Sequence, residues 1–362
     1  MLLHTPGESA HTAFSIAIGT AVEGESDGWG ILCSSFDIET GCFGEVTPAA
    51  KFGSSATFLC QHPSLPMLYA VGRSDNYPLG ALAAFTLDGC TLKLVAEASS
   101  GGSTPCHLCV NEAATVLAVA NYDDGTVSTL SLRRDGVPSF AFATRTIGKG
   151  PNRERQDGSH PHGVYFRGDI LHVPDLGLDK VHQWQLDAVS GKPDWGSPSS
   201  WHSAAGSGPR HMAFSPNGRH AYVVNELDST VSALKYEEVS GGLVLLDCVS
   251  TLPEGVNVSN TTAEIAIHPN GTFLYASNRG HDSIAVFSRD EISGRLRRIL
   301  VAPAGGKNPR HFAISPDGGW LVCAHQDSST VATLPLDARS GMIGEPRTTI
   351  HCPHPICVLF LR

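Results

Sequence analysis

Three side chains in the middle of the chain are of types that do chemistry together. Arg210 and His211 open an alternating apolar run, GPRHMAF, and Glu226 closes the next, AYVVNE, with a Ser-Pro-Asn-Gly turn between them. Two such runs about a tight turn read as an antiparallel hairpin. The start of its first strand lies beside the end of its second, so Arg210, His211 and Glu226 are predicted to converge at the open end. A fixed guanidinium beside an imidazole and a carboxylate can hold an anion, stabilise a developing negative charge or move a proton.

The hairpin has relatives, and their open ends carry similar residues. His107 to Asn121, His211 to Asn225, Glu264 to Asn278 and His311 to His325 are each fourteen positions apart. If all share one face, that face gathers Cys106-His107 with Asn121-Tyr122, His160 and His162 with Asp175, and Arg210-His211 with Glu226. It also gathers Glu264 with Arg279, and Lys307, Arg310 and His311 with His325-Gln326. His160 and His162, two apart in an extended segment, point the same way and with Asp175 would make a 2-His-1-carboxylate metal set. The arginines nearby would repel a dication, so no metal is predicted. The Ser-Pro-Asn-Gly, His-Pro-Asn-Gly and Ser-Pro-Asp-Gly turns fall on the opposite face and are assigned no chemistry.

What must position these residues is a repeat. Second-strand ends recur near 72, 121, 175, 225, 278 and 325, at intervals of about 50 residues. Each unit continues with a third strand (230–234, 283–287, 330–334) and a weaker fourth (243–249, 296–301). At the start of the chain TAFSIAIGT is a second strand lacking its first, and at the end PICVLFL is a first strand lacking its second; joined, they complete a seventh unit. Units of four antiparallel strands and 45 to 50 residues are propeller blades. The predicted fold is therefore all-β: one seven-bladed β-propeller domain over residues 1–362, its ring closed by pairing of the terminal strands, which leaves no open edge there. Such a ring needs no partner chain, and a monomer is predicted.

Composition narrows the function. A net charge of -10 argues against nucleic acid as a partner, since phosphate-backbone binding needs an excess of Lys and Arg. No run of about eighteen apolar residues suggests a membrane span, and the first residues have neither a basic segment nor an apolar core of a leader, so a cytoplasmic protein is predicted. The ten cysteines, several inside apolar runs, are read as buried free thiols rather than disulfides. Cys106 and Cys109, three apart on a strand, would face opposite ways and make a poor metal clamp. No Walker loop, G-x-G-x-x-G or H-E-x-x-H occurs, and no cofactor is implied.

The residues also carry a resemblance. Arg155-Gln156, His160-Pro161-His162, Asp175-Leu-Gly-Leu-Asp179, Gly208-Pro-Arg-His211, Asn225-Glu-Leu227, Ser277-Asn-Arg-Gly280 and Pro355-x-Cys-Val358 occur in one order along the chain. In this the sequence resembles the lactonase family of seven-bladed propellers, which includes bacterial-type 6-phosphogluconolactonases and a fungal muconate lactonizing enzyme. The resemblance implies a metal-free site in the central channel, with His162, Arg210 and Glu226 as catalytic residues and Arg279 on a substrate anion. Hydrolysis of an anionic sugar-acid lactone, with 6-phosphoglucono-δ-lactone as the best guess, would then use His162 as general base and Arg210 on the oxyanion. Glu226 would orient Arg210 or the water. His160, Asp175, His211, Arg279, Lys307, Arg310 and Gln326 are the predicted substrate contacts. The same fold run as a carboxymuconate cycloisomerase, or as a non-catalytic platform for a protein partner, are the alternatives. Gly72-Arg73, where family members often have Asn-Glu, and Asp123-Asp124 after Asn121-Tyr122 depart from the pattern.

Overall fold

The computed structural model describes residues 13–21, 30–53, 55–187, 190–194 and 199–362. The leader-free reading of the first residues falls largely on 1–12, outside this set. The described chain has no helix and forms seven antiparallel sheets. Six are runs of four consecutive strands; the fifth blade, for example, comprises Pro209–Phe214, His220–Asn225, Thr230–Glu237 and Gly242–Ser250. The remaining blade takes its innermost strand, Pro355–Leu361, from the end of the chain and pairs it with Ala13–Thr20. We count that blade as the first.

The sequence builds this ring because its second strands are apolar on both faces. In AYVV of the fifth blade, Tyr222 and Val224 pack with Ile265, Leu274 and Ala276 of the sixth, while Ala221 and Val223 pack with Val181 and Trp201 of the fourth. Strand side chains alternate between faces, so a run buried on both sides has no polar positions to spare. Seven such clusters fill the seven inter-blade interfaces, and the core is the sum of these wedges. Buried tyrosines fix the spacing: Tyr69, Tyr222 and Tyr275 donate to the carbonyls of Gly136, Gly294 and Gly341, each in an outer turn of the next blade.

The cysteine reading needs one correction. Cys33, on the third strand of the first blade, is bonded to Cys90, in an outer turn of the second, with Cα atoms 5.6 Å apart. Sequence spacing gave no sign of it, because adjacent blades bring together residues one repeat apart. The other eight cysteines are free thiols.

Candidate functional site

Consecutive residues of a strand point to opposite faces, so Arg210 and His211 could not both reach the channel from a regular ladder. A bulge resolves this. Pairing steps from Pro209↔Asn225 directly to His211↔Val224, leaving Arg210 as the extra residue. A bulge of this kind turns a side chain out of the sheet. The same step leaves out Thr57, Cys106, Arg310 and Ile356 in the second, third, seventh and first blades. In the fourth blade Pro161 pairs with Asp175 and the His162 amide bonds Pro174, so His162 occupies the corresponding place. Left-handed backbone just before the proline sets up the turn: Thr104 (φ 54°), Gly208 (65°), Asn308 (57°) and His354 (39°). At Gly208 a Cβ would also lie 2.7 Å from Leu227 Cγ, so glycine is needed twice over.

Register sorts the channel into three tiers. The upper one holds the residues that follow the second-strand ends, among them Arg73, Tyr122, Glu226, Arg279 and Gln326. The middle tier is the bulge residues: Thr57, Cys106, His162, Arg210, Arg310 and Ile356. The lower tier is Phe58, His107, His211, Glu264 and His311.

Glu226 organises one side of the mouth. Its buried Oε1 lies 2.5 Å from Arg155 Nη2, and its Oε2 lies 2.9 Å from Arg210 Nε and 3.0 Å from Arg279 Nη2. The Arg210 contact is an ion pair without hydrogen-bond alignment. Burial favours the protonated acid, but Arg279, Arg210 and Arg155 together outweigh it and hold the carboxyl down at about 2. Backbone carbonyls complete the clamp: Arg210 Nη1 donates to Ala263 at 2.6 Å and Arg279 Nη2 to Thr262 at 2.9 Å. His162 stands beside this group, its Nε2 4.0 Å from Glu226 Oε2 and its Nδ1 buried without a partner. Burial, then Arg210 and His211, push the imidazole well below its ordinary range, so it is neutral near pH 7.

The other side of the mouth is open. A cavity of about 490 Å³ there is lined by Arg310, Gln326, Arg73, Thr57, Thr104 and Ile356, among others. The Glu226 group does not line it, because those side chains fill the space between themselves. Below both sides the channel is floored. His211 Nδ1 and His311 Nε2 lie 3.0 and 3.3 Å from the same oxygen of Glu264, and the rings of Phe58, His107 and Tyr165 pack against them. The fourth blade has Gly163 at the floor position; a Cβ there would meet the Tyr165 ring at 2.6 Å, and Tyr165 fills the gap instead. The floor's other side belongs to a second cavity of about 610 Å³, on the opposite face.

The predicted residues divide accordingly. His162, Arg210, Glu226 and Arg279 are brought together, Arg310 and Gln326 share the cavity, and His211 is in the floor. Three are placed elsewhere. Asp175 is fully buried, and its oxygens accept from the amides of His160, Gly177 and Leu178, from the Ser159 and Thr146 hydroxyls, and from His182. It is the counterpart of Asn121 and Asn278, whose amides donate to the Ser100 and Thr251 carbonyls of the preceding blade, and of Asn225, whose amide donates to Thr230 and Ser232 of its own. His160 stacks on Tyr122 with both ring nitrogens taken, by the Tyr122 carbonyl (2.8 Å) and Asp157 (3.1 Å). Lys307 is exposed at the rim, in a hollow shared with Asp282 and Asp327. His160, His162 and Asp175 therefore do not share a metal point, and among the described residues no group of three His, Cys, Asp or Glu does.

Arg155 is the site residue that hairpin reasoning missed. It lies on the connection between the third and fourth blades, off the repeat, and only its place beside Gln156 in the family pattern marked it. Gln156 anchors that connection, donating to the Leu176 carbonyl (2.8 Å) and Asp179 (2.7 Å). Asp179 in turn accepts from the amides of Gly206 and Gly208, which links Arg155 to the start of the Arg210 strand.

Fold and site together define a seven-bladed propeller with a floored, cationic channel mouth. The chain belongs to the lactonase family of seven-bladed β-propellers, whose model matches residues 15–360. It is 32% identical over 351 residues to the 6-phosphogluconolactonase of Bacillus subtilis, covering 95% of this chain and 97% of that one. A second relative, the 6-phosphogluconolactonase of Formosa agariphila, is 34% identical over 313 residues, with 80% and 83% covered. Among solved structures, the periplasmic gluconolactonase of Pseudomonas aeruginosa superposes with a TM-score of 0.86 at 26% identity, covering 97% of this chain and 99% of that one.

Proposed function

We propose that this protein hydrolyses an anionic sugar-acid lactone, with 6-phosphoglucono-δ-lactone as the substrate. One observation carries the reading. In a chain of net charge -10, four guanidinium groups, those of Arg155, Arg210, Arg279 and Arg310, gather at one mouth with the buried carboxylate of Glu226 among them. That surplus of positive charge, next to a neutral buried histidine, suits a ring that carries an anion and develops a second one during reaction.

In this reading His162 takes a proton from water as the oxygen adds to the lactone carbonyl. Its Nε2 faces Glu226, which leaves Nδ1 as the basic atom. Arg210 meets the oxyanion that forms, an interaction worth on the order of 3 kcal/mol. Glu226 fixes the guanidinium by its ion pair, and Arg279 and Arg155 keep Glu226 ionised so that it does not compete for the proton. Collapse of the tetrahedral centre breaks the ring C–O bond, and the histidine returns the proton to the departing oxygen, giving the hydroxy acid.

The exposed large apolar side chains that a protein-docking platform would need are dispersed over different blades, as with Leu79, Ile147, Val239 and Ile292. The reading is of a monomer, since the ring closes on its own terminal strands. No helix among the described residues is long and apolar enough to cross a membrane. The Cys33–Cys90 bridge, a bond that persists in oxidising compartments, weighs against the cytoplasmic placement predicted above. The test is a lactone-hydrolysis assay of the purified chain with spontaneous hydrolysis subtracted: turnover of 6-phosphoglucono-δ-lactone is expected, and its absence would refute the reading.

A further inference from the structure

The partners of the four arginines divide them into three and one. Arg155, Arg210 and Arg279 share the one charge of Glu226 at 2.5, 2.9 and 3.0 Å, so each has a carboxylate in direct contact. Arg310 has no hydrogen bond and no ion pair among the described residues. It is the bulge residue of the seventh blade, partly buried, and it lines the 490 Å³ cavity on the side of the mouth away from the Arg155–Glu226 pair. Burial, then Arg279 and Arg210, pull it down to about 9, which leaves it cationic at pH 7 with its charge poorly compensated.

Its surroundings fit an anion. Among the described residues no carboxylate lines that cavity. Gln326, Thr57 and Arg73 complete its wall. Arg73, at the exposed edge, is 4.0 Å from Asp123 and donates to Thr104. The hollow around Lys307, by contrast, holds Asp282 and Asp327 beside Lys307 and Arg279, so its charges balance and it offers an anion no surplus. A desolvated guanidinium with no counterion destabilises the fold unless a ligand supplies the missing charge.

This inference deepens the lactonase reading and rests on it. We infer that Arg310, rather than Arg279 or Lys307, takes the substrate's phosphate, and that it is the residue which separates phosphorylated from unphosphorylated sugar lactones. The carbonyl end of the ring then lies toward Arg210 and His162, and the phosphate end lies in the open half of the mouth.

The experiment compares the whole chain with Arg310→Gln and Arg310→Lys on 6-phosphoglucono-δ-lactone and on glucono-δ-lactone. Loss of a charge-assisted pair predicts that kcat/KM for the phosphorylated lactone falls about 100-fold in Arg310→Gln, mainly through KM. Activity on glucono-δ-lactone stays within about threefold, and Arg310→Lys recovers part of the loss. The melting temperature of Arg310→Gln is expected to hold or rise, because an unpaired charge is removed. Equal losses on both lactones, or no loss on either, would overturn the inference. If the wild type hydrolyses neither lactone the lactonase reading fails by itself. Calorimetric titration with 6-phosphogluconate and inorganic phosphate then decides the subsite: binding lost in Arg310→Gln supports it, and binding kept there overturns it.

Discussion

Arg155 and Glu226 meet at 2.5 Å although 71 positions separate them in the chain. The pair joins the connection ahead of the fourth blade to the end of the fifth blade's second strand, and it shields the side of Glu226 that Arg210 and Arg279 leave uncovered. Arg155 is also the most exposed of Glu226's three arginines, at 38%, against 3% for Arg210 and 13% for Arg279. It is the one most open to solvent.

Replacing Arg155 by Gln should therefore weaken catalysis without unfolding the protein. A half-exposed pair of this kind is worth roughly 1 kcal/mol, so kcat/KM is expected to fall about fivefold. Steady-state kinetics beside a denaturant titration checks it. A large loss of stability with unchanged kcat/KM would make Arg155 a structural residue only.

Acid should cost both stability and activity, and the sign follows from the histidines. Burial and neighbouring cations hold His162, His107 and His211 well below 6.5, and His311 at about 4. Their folded-state values lie under the unfolded one, so the unfolded chain binds more protons in between, and stability falls as pH drops below about 6.5. Glu226, held at about 2, continues the loss once pH passes below its ordinary 4.5. Glu264, raised by its burial, acts in the opposite direction and offsets part of it. Urea unfolding at pH 7, 5.5 and 4.5 should give a falling series. The acid limb of kcat/KM should sit below pH 6.5, where His162 protonates; a limb at or above 6.5 would mean another group is the base.

Asp175 separates structure from binding. Its oxygens satisfy three backbone amides and three side chains inside the blade wall. Asp175→Asn removes the charge behind those bonds and is expected to cost about 2–3 kcal/mol in stability. KM should change little. A raised KM with wild-type stability would return Asp175 to the substrate.

The Cys33–Cys90 bond ties the terminus-closed blade to its neighbour across 57 positions. A loop of that length corresponds to about 4 kcal/mol of chain-entropy stabilisation as an upper figure. The double variant Cys33→Ser/Cys90→Ser should lose stability up to that amount and keep lactonase activity. Titration of the unreduced, denatured protein should count eight thiols, the number of free cysteines. Ten thiols would mean the bond is absent.

The fold was readable because a propeller writes one hairpin many times, and the constant interval from His211 to Asn225 and its relatives survives substitution of individual residues. The terminal strands were readable for the same reason, as two halves of a unit. The site was only half readable. Period-two alternation cannot say that Arg210 and Arg310 are bulge residues, so it could not distinguish channel-facing side chains from those, like Asp175, that stitch the wall. Nor could it reach Arg155, which stands outside the repeat, or Cys33 with Cys90, whose contact depends on how adjacent blades splay. Spacing placed Arg279 and Arg310 on one face as equal candidates for the anion. What separates them is which one Glu226 already neutralises, a fact of three dimensions.

The central claim is that lactone hydrolysis occurs at this mouth with His162 as base. The most direct measurement is the initial rate of 6-phosphoglucono-δ-lactone hydrolysis by His162→Gln against the wild type, corrected for spontaneous opening, with circular dichroism confirming the fold. A positioned base contributes about 100-fold or more, so the folded variant should lose at least that factor in kcat. A folded His162→Gln protein turning over at the wild-type rate would contradict the account.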